Sequence, residues 1–140
     1  MTTAATPATA RSAVATRRIR RVTAIVAAIA ANAVLWGIAS LLGADFVLTD
    51  SMGTAVITLP IVAIFTAIFG LLGWGSLALL ERFAHARALT IWTWLAVAIA
   101  VLSLVPIFLE GATGATRAGL VVIHLAVAAV LVPMFRRTQD

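Results

Sequence analysis

Residues 17–42 read RRIRRVTAIVAAIAANAVLWGIASLL. Four arginines (Arg17, Arg18, Arg20, Arg21) stand directly before 21 residues, Val22 to Leu42, that carry no charge. A helix crosses the hydrocarbon core of a bilayer with about 20 apolar residues. The run is therefore read as a membrane span, and the arginines before it mark the cytoplasmic end, where basic residues accumulate. A secretory signal peptide begins in the same way, but its apolar core of about 7–15 residues is shorter than this one.

The rest of the chain repeats that pattern. Of its 140 residues 63% are hydrophobic and 11% charged, with a mean hydropathy of +1.13. Such a composition lacks the polar surface that a water-exposed fold needs. Further apolar runs lie at about 54–80, 88–109 and 117–135, separated by GADFVLTDSMG (43–53), ERFAHAR (81–87) and EGATGATRAG (110–119). The second run is longer than one perpendicular crossing requires, and Pro60, Gly70, Gly73 and Gly75 give it places to bend. Residues 1–16 are rich in Ala and Thr, have no apolar face and are expected to form a disordered cytoplasmic tail. The loop at 43–53 is expected to hold at most a short interfacial turn, because glycines bracket it. The expected fold is all-α, an integral membrane four-helix bundle running up-down-up-down over residues 17–137.

Charge then orients the bundle. All ten basic residues are arginine. Arg11, Arg17, Arg18, Arg20, Arg21, Arg82, Arg87, Arg136 and Arg137 fall on one side of the four spans, and only Arg117 falls on the other, with Asp45, Asp50 and Glu110. Nine against one places both termini in the cytoplasm of a bacterial plasma membrane. The arginines flank apolar runs, so their expected counterpart is the anionic head group of the lipid bilayer and not nucleic acid. Trp74, Trp92 and Trp94 fall near the inner boundary and Trp36 toward the outer one, as belt anchors do.

Few side chains could do chemistry inside the spans. His124 lies seven residues past Arg117, about 10 Å below the outer boundary at a rise of about 1.5 Å per residue. Asn32 and Ser103 fall at a similar depth. An intramembrane polar cluster of Asn32, Ser103 and His124, with Arg117 on the His124 stripe above it, is the candidate site. Two readings of His124 stay open: a histidine that bonds a neighbouring helix, or a group that relays protons or binds a ligand. The absence of cysteine excludes disulfides, thiolate metal sites and redox dithiols. His85 and His124 lie near opposite boundaries, so one haem cannot bridge them. All five acids fall outside the spans or at their ends, which argues against a proton-coupled exporter. No nucleotide, metalloprotease or serine hydrolase motif occurs in a fitting context. The expected assignments are no enzyme, no cofactor and no metal.

Trp74 and LLER (79–82), IWTWLAVAIAVLSLVP (91–106) and GATRAGLVVIHLAVAAVLVP (114–133) together resemble DUF6069, a family of small actinobacterial four-helix membrane proteins of unknown function. The resemblance implies the architecture and carries no activity or catalytic residue with it. The function expected from the sequence is a membrane-embedded structural or interaction protein whose partner is a second copy or another membrane protein. The alternative is a small carrier or ligand-binding sensor that uses His124.

Overall fold

The computed structural model describes the backbone of residues 7–137 and the side chains of residues 11–137. Its elements are α1 (Pro7–Leu41), β1 (Val47–Asp50), β2 (Gly53–Val56), α2 (Leu59–Ala84), a 3-10 turn (His85–Arg87), α3 (Ala88–Leu102), α4 (Val105–Leu109) and α5 (Gly114–Arg136). Among the described residues, three helical stretches are long and apolar enough to cross a membrane: Arg11–Leu41, Leu59–Leu109 and Gly114–Arg136. The second holds 51 residues, more than twice the roughly 20 of one crossing. It turns at His85–Arg87, and α3 returns along α2, with the Trp92 indole donating to Gly73 O at 2.9 Å and to Ser76 Oγ at 3.1 Å.

α1 packs against α2 and α5, and α3 packs against α2 and α5. Two apolar clusters fill the interior. The one nearer the chain termini joins Ala24, Ile25, Ala28, Leu77, Trp92, Leu131 and Phe135. The one at the opposite end joins Ala44, Phe46, Val62, Ile107, Leu120 and Ile123. The four-residue spacing of Ala24, Ala28 and Asn32 puts all three on one buried stripe of α1. Helices in lipid gain little from burying apolar surface, so they depend on close packing at small residues. Gly70 is one such place: a Cβ there would sit 3.0 Å from Ile25 Cγ1. Gly119 is another, with Ala39 Cβ at 3.0 Å and Phe46 Cζ at 3.3 Å from the same position.

Several boundaries differ from those read in the sequence. The fold is not purely α, because residues 47–56 form an antiparallel hairpin with Val47 opposite Val56 and Asp50 opposite Gly53. The Asp50 carboxylate closes its turn by accepting the N–H groups of Met52 and Gly53, and Gly53 has φ +140°, which a side chain would disfavour. Val47, Thr49, Thr54 and Val56 are β-branched and suit strands. Thr54 therefore opens a strand and not a span, and the helix starts at Leu59 with Pro60 in its first turn. Pro60 begins that helix instead of bending it. The run at 88–109 breaks at Ser103 and Leu104, because Pro106 has no N–H to offer the Leu102 carbonyl. Residues 7–16 continue α1 where a disordered tail was expected; their alanines favour helix. Residues 1–6 lie outside the described ones. Trp92, expected near the inner boundary as a belt anchor, is 3% exposed and packs inside, while Trp94 is 71% exposed.

Candidate functional site

The polar side chains gather at three levels. At the end away from the termini, the first turn of α5 is bound to the loop after α1. Thr113 is the N-cap of α5 and accepts the Thr116 N–H at 3.2 Å. Thr116, fully buried, donates its hydroxyl to Asp45 Oδ1 at 2.6 Å and accepts the Phe46 N–H at 2.9 Å. Phe46 has φ +52° and stacks on Trp36 with ring centroids 5.5 Å apart, while the Trp36 indole donates to Ile57 O. The hairpin is fixed to the loop before α5 by paired backbone bonds between Thr49 and Gly111. Together these groups form a cap in which each connecting loop restrains the other.

The Asp45 carboxyl titrates below its ordinary range, chiefly because the Thr116 hydroxyl donates to it, with the Val47 N–H next in effect. A carboxylate whose pKa is depressed on folding stabilises the fold above its unfolded pKa and loses that contribution as pH falls through the folded pKa. The cap is therefore expected to loosen selectively in acid below the usual carboxylate range. Hydrogen exchange at residues 45–57, followed against pH, should show this in the wild type and not in Asp45→Asn.

At the middle level, Asn32 Nδ2 donates to Thr66 Oγ1 at 2.9 Å, joining α1 to α2. Both residues are buried. The Thr66 hydroxyl donates to Val62 O, so Asn32 Oδ1 is buried without a partner. This orphan acceptor lowers the net gain of the pair. Interhelical hydrogen bonds in membranes average about 0.6 kcal/mol, and a double-mutant cycle between Asn32→Ala and Thr66→Ala should give a coupling of about that size. The corresponding cycle between Asn32→Ala and His124→Ala should be additive, because no hydrogen bond links the two among the described residues.

The four residues expected to share one cluster each bond elsewhere. Ser103 Oγ donates to Ala100 O at 2.7 Å, within its own helix. His124 Nδ1 lies 2.7 Å from Leu120 O, and since a carbonyl only accepts, Nδ1 carries the proton. Arg117 Nη2 donates to Glu110 O at 2.9 Å, and its Nε is buried with no acceptor. Arg117 and His124 do lie on one flank of α5, as their seven-residue spacing requires.

At the level of the termini, Arg21 on α1 forms an ion pair with Glu81 on α2. Arg20 Nη1 reaches Arg137 O at 3.4 Å, which connects the base of α1 to the end of α5. By sequence Arg21 is one of several orienting arginines and Glu81 a charge at the start of a loop. No spacing rule links residues 60 positions apart. Thr113 carries a legible signal, an N-cap threonine ahead of a helical run.

The family model described as "Family of unknown function (DUF6069)" matches residues 12–140, and the chain belongs to this family. No curated protein and no solved structure matches it.

Proposed function

We propose that the chain is a four-span protein of a bacterial plasma membrane, an up-down-up-down bundle with both termini cytoplasmic, and that its role is structural or interactive and not enzymatic. The observation that carries this reading is where the intramembrane polar groups are used. Asn32 bonds Thr66, Ser103 bonds Ala100 and His124 bonds Leu120, so each is committed to holding helices or its own turn. The turn at His85–Arg87 inside a 51-residue apolar stretch supports two crossings there, and the nine-to-one arginine balance supports the orientation. A second copy of the chain or another membrane protein is the partner this role calls for; nucleic acid is not.

One observation favours a second reading, a carrier or sensor built on Arg117 and His124: the buried Arg117 Nε has no acceptor. Proteoliposomes separate the two. Proton, chloride and phosphate flux should be the same with wild-type protein, with His124→Ala and with empty vesicles. Protein-dependent flux that disappears with His124→Ala would replace the structural reading by the carrier.

A further inference from the structure

The base of the bundle holds a hollow of about 380 Å³ lined by Arg17, Glu81, His85, Ala86, Ala88 and Leu89. It lies where α1 passes the turn between α2 and α3. Its size falls within the roughly 300–1,000 Å³ of small-molecule sites, well beyond what one ion fills. Among the described residues, Arg17 makes no hydrogen bond or ion pair. Glu81 is the one acid on this side among them, and Arg21 engages it. The lining therefore holds one guanidinium without a partner among the described residues, one carboxylate that Arg21 already engages, and one imidazole.

His85 supports the same conclusion from the backbone. It adopts φ +40° and ψ −110°, a conformation unfavourable for a residue with a side chain. His85 lines the hollow, where its imidazole offers at least one N–H in either tautomer. The remaining wall is apolar: Ala86, the buried Ala88 and the half-buried Leu89, where α3 begins. An unpaired guanidinium and an imidazole beside an apolar wall at a span's inner end match a molecule with a phosphate at one end and hydrocarbon at the other.

We propose that this hollow binds the phosphodiester of an anionic glycerophospholipid, with Arg17 and His85 holding the phosphate and the acyl chains following Leu89 along α3. This rests on the membrane reading above and specifies one of its partners. The chemistry is shared with free phosphate and soluble phosphate esters, but the apolar wall favours the lipid.

The test is native mass spectrometry of the detergent-solubilised full chain, titrated with phosphatidylglycerol, with phosphatidylcholine and with inorganic phosphate. The expected result is one retained phosphatidylglycerol, weakened about fivefold in Arg17→Ala, the loss of one cation at a membrane surface. His85→Ala should weaken it further. Arg18→Ala, which removes an equal charge outside the hollow, should leave it within about twofold. Equal losses in Arg17→Ala and Arg18→Ala would overturn the site in favour of diffuse attraction. Retention of phosphatidylcholine at equal strength, or displacement by millimolar inorganic phosphate, would overturn the lipid assignment. The solubilised protein has both ends accessible, so this outcome does not depend on orientation, and an error in topology would show separately in cysteine labelling.

Discussion

Phe135→Ala is expected to destabilise the helical assembly by about 2–3 kcal/mol. Phe135 is fully buried near the end of α5, and its ring meets Trp92 on α3 with centroids 5.5 Å apart and planes tilted by 35°. Its Cε2 also lies 3.7 Å from where a Cβ on Gly73 of α2 would be. One side chain thus connects three helices, and its removal leaves space that none can fill alone. In a soluble core the loss is roughly 3–5 kcal/mol, the sum of a transfer term and a cavity term. In lipid the transfer term shrinks, because the surroundings of the separated helices are as apolar as the interior, and the cavity term remains. Reversible unfolding in mixed micelles measures the loss. A change within about 0.5 kcal/mol, the range of ordinary surface substitutions, would contradict this packing.

Glu81→Gln is expected to cost about 3 kcal/mol, the lower end for breaking a buried ion pair. The Arg21 side chain is 4% exposed and that of Glu81 24%, so the arginine bears most of the desolvation. Removing the carboxylate leaves that desolvation in place and takes away the attraction that offsets it. The double substitution Arg21→Met with Glu81→Leu should recover most of the loss, since a packed apolar pair has no desolvation to offset. Exchanging the two charges should recover part of it. If Glu81→Gln melted with the wild type, the pair would hold no more than a solvated surface bridge of about 0–1 kcal/mol.

The parts of this fold that local periodicity encodes were readable from the sequence. Ala24, Ala28 and Asn32 recur every four residues, which places them on one helix face wherever that helix packs. The helices of the three long apolar stretches follow from hydropathy and length. Hydropathy does not distinguish a strand from a helix, so by that measure residues 54–56 belong to the following span, although Thr54 and Val56 are β-branched and favour the hairpin they form. Proline position carried a second ambiguity: Pro60 and Pro106 each open a helix, and an apolar run alone does not say whether a proline bends or begins one.

The site was less legible than the fold because its contacts cross between elements. Depth along the membrane normal suggested that Asn32, Ser103 and His124 could meet, yet depth fixes one coordinate, and the facing direction of each helix decides the others. Asn32 faces Thr66 on α2, which lies at a compatible depth on a different neighbour. Asp45 and Thr116 stand 71 positions apart, so the bond between them has no trace in local pattern.

The central claim, four crossings with both termini cytoplasmic, is tested most directly by cysteine accessibility. The chain has no cysteine of its own, so each introduced thiol is the only one present. Ala15→Cys on α1, Ser51→Cys at the hairpin tip, Ala86→Cys in the turn between α2 and α3, and Ala115→Cys at the start of α5 all replace exposed residues. With a membrane-impermeant maleimide on intact cells, Ser51→Cys and Ala115→Cys should label at once, and Ala15→Cys and Ala86→Cys only after the membrane is opened. Labelling of Ala86→Cys from outside, or of Ala15→Cys and Ser51→Cys from the same side, would contradict the four-span arrangement.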